Sequence, residues 1–270
     1  MSTFLYGGNV HANGIRQHYL RYGGKGTPLL LIPGITSPAI TWGFVAERLA
    51  GQFDVYVLDA RGRGLSSTGP DLDYGTDACA DDIVAFAAAL NLTEYHLLGH
   101  SMGARFIMRA ATRHPHAGIK RLVLVDPPVS GPGRREYPGK MPWYVDSIRQ
   151  SLHGMNAEDM LAFCPTWTEE QRALRAEWLH TCYEPAILKA YEDFHELDIH
   201  QDFAKLPAPA LLMVAGKGGV IQAEDEAEIK GLQPLIRLAR VENAGHMIPW
   251  DDFDGFFVAL GDFLQQPGAL

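Results

Sequence analysis

The sequence predicts an α/β protein, a mostly parallel sheet flanked by helices with a helical cap inserted late in the chain. Three observations carry this. Short apolar runs alternate with stretches of helical periodicity through the first half of the 270 residues, as successive β–α–β units require. Across residues 128–206 the alternation stops, and helix-like pieces follow one another with no obvious strand. It then resumes, so the inserted part interrupts a sheet that continues beyond it.

The elements follow in order. FLYGGNV (4–10) and IRQHYLRY (15–22) are β-type runs, and PLLLIPG (28–34) is nearly all apolar, as suits a strand covered on both faces. FDVYVLDARG (53–62) repeats that pattern. DACADDIVAFAAALNL places Ile83, Phe86, Ala87 and Leu90 at helical spacing. YHLLGH is a further buried strand, SMGARFIMRAATRHP a helix, and RLVLVDPP a strand stopped by two prolines. The inserted part opens with VSGPGRREYPGK and continues through PWYVDSIRQSL, AEDMLAFC, TEEQRALRAEWLHTCY and EPAILKAYEDFHELD. APALLMVAG and LIRLARVENAGH restore the β pattern, and DGFFVALGDFLQQ closes the chain as a helix. The expected division is a core of 1–127 and 207–270 and a cap of 128–206. That cap belongs over the carboxyl ends of the strands, where ligands bind in open α/β sheets.

Composition narrows the function. With 47% hydrophobic and 20% charged residues the chain reads as globular. A formal charge of −9 argues against a nucleic-acid or anionic-membrane partner, although one local arginine can still hold a small anion. No apolar run is long enough to span a bilayer, and MSTFLYGGNV lacks the basic and apolar regions of a secretory signal. Cys79, Cys164 and Cys182 form no CxxC pair and read as reduced thiols, so a cytoplasmic enzyme is expected.

The chemistry is concentrated at a few strand ends. Gly99-His100-Ser101-Met102-Gly103 fits G-x-S-x-G between a strand and a helix, a turn that presents a serine hydroxyl at the sheet's rim. The helix start aims free N–H groups at developing negative charge. An acyl-transfer site needs two such donors: the N–H of Met102, next after the serine, and that of Ile35 in the IPGITSP loop. The base must follow late, and His246 in Asn243-Ala244-Gly245-His246 sits directly after the last strand. Two positions compete for the acid. The loop after APALLMVAG holds Lys217, Gly218 and Gly219 and reaches no carboxylate until Glu224, Asp225 and Glu226, which look like a helix's first turn. Asp126 ends the strand RLVLVD on the same rim as Ser101, although an aspartate there can also serve only the turn. The emptiness of the later loop favours Asp126.

Other features carry less. EDFHELDIH has histidines five apart, about 140° around a helix, and reads as a solvated face with no metal site. Asp59 and Arg61 in DARGRG read as turn-stabilising. A carboxylated substrate needs a cation, and Arg134, Arg135, Arg149, Arg172 and Arg175 all lie in the cap without a ranking, so the substrate-binding residues stay unassigned. The cap aromatics Trp143, Tyr144, Trp167, Trp178 and Tyr183 suit a pocket wall or packing between helices.

LLLIPGITSPAITW, DARGRGLSS, GHSMGAR, LVLVDPP and ENAGHMIPW, in that order, resemble the α/β-hydrolase superfamily over essentially the whole chain. Pro33-Gly34 stands where that superfamily usually has His-Gly. The resemblance implies an eight-stranded sheet with a serine nucleophile. YGGNVHANGIRQHYLRYGGKG, GITSPAITWGFVAERL, DLDYGTDACADDIVAFAAAL and AEWLHTCYEPAI are more narrowly similar to the N-formylmaleamate deformylase family of bacterial nicotinate breakdown. This implies a Ser-His-Asp triad falling on Ser101, His246 and Asp126, a formyl-enzyme intermediate, a small anionic substrate, and no metal or organic cofactor. Two alternatives are an esterase or C–C bond hydrolase with the same triad, and a ligand receptor on a hydrolase frame. Oligomeric state has no signal in the sequence.

Overall fold

The strands are β1 (Phe4–Ala12), β2 (Ile15–Tyr22), β3 (Pro28–Ile32), β4 (Asp54–Leu58), β5 (Tyr95–His100), β6 (Ile119–Val125), β7 (Ala210–Ala215) and β8 (Arg237–Val241). They hydrogen-bond as one sheet in the order β1-β2-β4-β3-β5-β6-β7-β8. β2 is antiparallel to both its neighbours, and every other pairing is parallel. The computed structural model describes residues 2–207 and 209–266. Met1, Ala208 and residues 267–270, which the expected core and the run APALLMVAG include, lie outside the described residues.

Local chemistry accounts for the frame. Asn13 and Gly14 both take positive φ (49° and 74°), the requirement of a two-residue hairpin turn, and they join β1 to β2. β4, β5 and β7 are buried at every position because helices cover both faces of the sheet. Period-2 alternation divides their side chains between two cores. Leu30, Ile32, Leu97 and Leu122 pack on one face with Ile83, Phe86 and Phe106. Leu29, Leu31, Val57 and Val123 pack on the other with Trp42, Val45 and Phe256. At the edge, β8 is largely exposed and carries Arg237 and Arg240, charges that discourage pairing with another chain.

The helices are α1 (Gly43–Leu49), α2 (Thr76–Ala89), α3 (Met102–Arg113), α4 (Met141–Ser151), α5 (Glu169–Trp178), α6 (Glu184–Glu196), α7 (His200–Ala204), α8 (Ala223–Leu232), α9 (Ile248–Asp251) and α10 (Phe253–Leu260). Four of them, α4 to α7, lie between β6 and β7. Arg105 on α3 ties this segment down: its buried guanidinium donates to the carbonyls of Pro128, Ser130, Asp193 and Leu197. No helix of the described residues is long and apolar enough to cross a membrane.

Several expectations need correction. AEDMLAFC forms only a 3-10 turn, Asp159–Ala162. EDFHELDIH is not one helix, since α6 ends at Glu196 and His200 begins α7. Nor is it simply solvated. Asp193 is buried and accepts from both the N–H and the hydroxyl of Thr76, while buried His200 pairs with Asp198. The closing helix is shorter than expected: the Asp252 carboxylate caps its start by accepting the N–H of Gly255 (2.8 Å), and it stops at Gly261, where φ is +52°.

Candidate active site

Ser101 occupies the turn between β5 and α3 with φ 53° and ψ −119°, a conformation L residues rarely adopt. The turn is held because the Ser101 N–H donates to the Val125 carbonyl (2.8 Å). Its glycines are required by crowding. A Cβ on Gly99 would lie 2.4 Å from the Gly103 carbonyl oxygen, and one on Gly103 would lie 2.1 Å from that of Ile32. Asp126 repeats the device at the end of β6, with φ 45° and its N–H on the Met213 carbonyl (2.9 Å). His246 follows β8 on a loop tied by the Gly245 N–H to Asp251 Oδ2 (2.9 Å). Burial raises the pKa of that Asp251 carboxyl.

The structure brings the three side chains together. His246 Nδ1 is 2.7 Å from Asp126 Oδ2, and His246 Nε2 is 3.0 Å from Ser101 Oγ. A carboxylate only accepts, so the ring proton belongs on Nδ1, leaving the Nε2 lone pair for the serine hydroxyl. Asp126 is fully buried, and its Oδ2 also accepts the Val220 N–H at 3.1 Å.

The loop after β7 explains its own lack of an acid. A Cβ on Gly219 would lie 2.5 Å from Asp126 Oδ2, so this loop forms the wall against which that carboxylate sits. Glu224, Asp225 and Glu226 are in the first turn of α8, as expected. Asp225 accepts the Gln222 N–H and pairs with Arg135, and Glu226 pairs with Arg240. None of the three bonds to His246.

The N–H groups of Ile35 and Met102 are used by no protein hydrogen bond among the described residues, as a pair of oxyanion donors requires. Sequence reasoning missed what braces them. Arg63, almost wholly buried, donates to the Ile35 carbonyl (3.0 Å) and lies 3.2 Å from Met102 Sδ, so one guanidinium touches both donor residues. His100 was also missed, although it stands inside the glycine–serine motif. Burial lowers its pKa to about 3, so the ring is neutral, and its Nε2–H donates to the His246 carbonyl (2.9 Å). A Cβ on Gly34 would meet that ring at 2.9 Å. Asp59 and Arg61 are structural, as expected: Asp59 accepts the N–H groups of Ala39 and Leu65, and Arg61 pairs with Asp82.

Ser101 and His246 open into a cavity of about 550 Å³. Ile35 and Thr36 line it from the sheet side, and Trp143, Tyr144, Trp167 and Arg175 from the inserted segment. Trp178 and Tyr183 are not among its lining residues. Trp167 stacks on Trp250 (5.0 Å, 11°), linking this wall to the helix that follows His246. Among the described residues no cluster of three or more histidine, cysteine or acidic side chains is placed to hold a metal.

Comparison with known proteins identifies the fold and the family. Residues 27–253 match the family model described as alpha/beta hydrolase fold. The chain is 73% identical over 267 residues to the N-formylmaleamate deformylase of Pseudomonas putida, covering 99% of each. The crystal structure of an N-formylmaleamic acid deformylase from Pseudomonas putida S16 superposes with a TM-score of 0.91 at 57% identity, covering 95% of this chain and 100% of that one. E-2-(acetamidomethylene)succinate hydrolase shares the fold at 21% identity (TM-score 0.80, 97% of this chain and 100% of that one). Motif order, strand order and whole-length relatives converge, and the chain belongs to the alpha/beta hydrolase fold family.

Proposed function

We propose that this hydrolase deformylates N-formylmaleamate to maleamate and formate, with Ser101 as nucleophile, His246 as base and acid, and Asp126 as the carboxylate that orients it. Residues 1–127 and 207–270 form the catalytic core, and residues 128–206 form a cap over it. The observation that carries the reading is the unbroken relay from Ser101 Oγ through His246 to Asp126, opening into a cavity sized for a small molecule. The substrate is suggested by the whole-length likeness to a deformylase of that name.

The chemistry runs in two halves. His246 Nε2 takes the hydroxyl proton as Ser101 Oγ attacks the formyl carbon, and the Ile35 and Met102 N–H groups stabilise the oxyanion. Asp126 stabilises the imidazolium that forms. The imidazolium then protonates the amide nitrogen, the C–N bond breaks, and maleamate leaves. The second carbonyl on that nitrogen delocalises its charge and makes it a better leaving group than a simple amine. Water next gives a proton to His246 and attacks the formyl ester, and formate departs as the proton returns to Ser101.

Stoichiometric formate release from N-formylmaleamate tests this. The expected result is steady turnover by the wild type and a fall of about 10⁶-fold in kcat for Ser101→Ala. Retained turnover in that variant defeats the mechanism. A higher kcat/KM for small esters than for the formylated amide points to an esterase instead.

A further inference from the structure

Arg63, Arg105 and Arg175 are each buried, and no carboxylate of the described residues forms an ion pair with any of them. They meet that condition differently. Arg63 donates to three carbonyls and approaches one thioether sulfur, and Arg105 donates to four carbonyls. Neither lines the cavity. Arg105 and Arg175 each keep a buried Nε without a partner among the described residues, but of the three arginines Arg175 is the one that lines the cavity.

A guanidinium carries five N–H donors and keeps its charge at any physiological pH. Two of those on Arg175 are used: Nη1 donates to the Thr36 carbonyl (3.0 Å) and Nη2 to Thr36 Oγ1 (2.8 Å). Nε is buried with no partner among the described residues. The indoles of Trp143 and Trp167 lie 5.7 and 5.6 Å from Arg175 Cζ, so aromatic faces fix the plane of the group and leave its donor edge to be satisfied by something else. The other arginines of this segment are already engaged. Arg134 pairs with Asp198 and Glu228, Arg135 with Asp225, and Arg149 with Glu184, while Arg172 donates to the carbonyls of Ala157 and Trp167. Lys140 also lines the cavity, but its side chain is 72% exposed and therefore well hydrated.

We propose that Arg175, held by Thr36 and two indole rings, is the seat of the substrate's carboxylate and sets the preference for an anionic acyl amide. The proposal rests on the deformylase reading and deepens it. A buried cation that the protein leaves short of an anion is complemented when the ligand supplies one, and a planar fork takes a carboxylate through two parallel hydrogen bonds. Thr36 is next in the chain to Ile35, one peptide unit from the candidate oxyanion donor. Anchoring the anion there registers the far end of a short molecule while its formyl carbon faces Ser101.

The test compares wild type, Arg175→Met and Arg175→Lys on N-formylmaleamate and on its analogue with a methyl group in place of the carboxylate. The wild type is expected to favour the carboxylated substrate about 10²-fold in kcat/KM. Arg175→Met is expected to bring that ratio to within about threefold of unity, mainly through KM, and the lysine variant to keep about a tenth of the preference. An equal loss on both substrates overturns the proposal and leaves Arg175 as a strut for Thr36. Should Arg175→Met fail to fold by circular dichroism, the lysine variant carries the test: a tenfold fall in the ratio supports the proposal, and an unchanged ratio overturns it. Should the wild type turn over neither substrate, the deformylase reading fails by itself. Competition by maleate against p-nitrophenyl acetate hydrolysis then decides the subsite. A Ki at least tenfold weaker in the Arg175 variants supports it, and an equal Ki overturns it.

Discussion

The chain leaving β6 and the chain leaving β7 meet at one rim and behave as opposites. The first turns at once on Asp126, in a backbone conformation disfavoured for a side-chain-bearing residue, and buries its carboxylate completely. The second runs through Lys217, Gly218 and Gly219 with no acid at all. Its glycine leaves room for the neighbour's carboxylate, and its Val220 N–H donates to it. Acid and receiving wall are thus divided between two strand ends. A loop without chemistry of its own can be shaped by the chemistry of the loop beside it.

The comparison is broken most severely at Asp126. Asp126→Asn preserves shape but favours the wrong imidazole tautomer, and kcat is expected to fall about 10⁴-fold with little change in KM. Steady-state kinetics decide it, and a loss below about tenfold would move the acid elsewhere. Next comes the wall. Gly219→Ala sets a methyl group against Asp126 Oδ2 at the 2.5 Å position, and shifting the carboxylate is expected to cost about 10- to 10²-fold in kcat. At Gly218 a Cβ meets nothing but φ is +77°, so Gly218→Ala strains the same loop without crowding the carboxylate and separates the two effects.

A third prediction concerns His100, which supports the histidine loop from beneath. Burial lowers its folded pKa to about 3 from the ordinary imidazole value of 6.5, so the unfolded chain binds the extra proton first. The stability this group contributes is complete above pH 6.5 and is lost as pH falls toward 3, at about 1.4 kcal/mol per unit. Urea unfolding at pH 7 and pH 5 is expected to show this slope, reduced in His100→Gln. The smallest effect belongs to the rejected acids. Asp225→Asn is expected to leave kcat within about twofold while lowering stability by about 0.5–1 kcal/mol through the first turn of α8, read as a small fall in Tm.

Much of this was legible along the chain. The G-x-S-x-G turn between a strand and a helix, the late His246 and the strand-ending Asp126 could be read because each depends on a local pattern and on chain order. The emptiness of the loop at 217–219 was legible too, but its cause was not, since the crowding comes from a residue 93 positions earlier in the chain. Arg63 and His100 were passed over for the same reason: neither sits in a pattern that announces a brace. EDFHELDIH was misread as one solvated helix because its many charges suggest solvent, whereas Asp193 is engaged by Thr76 across a separation only folding closes.

The sequence by itself determined the alternation of strand and helix, the place where the helical segment interrupts it, and the order serine, then acid or base, at the ends of strands. These follow from side-chain periodicity and from backbone conformations that neighbouring residues decide. Only the tertiary structure decided which of five arginines faces the cavity, what braces Ile35 and Met102, and why one strand-end loop carries no acid. Those are questions of contact between distant segments, where distances of 2.5–3.0 Å select among residue types that look interchangeable along the chain.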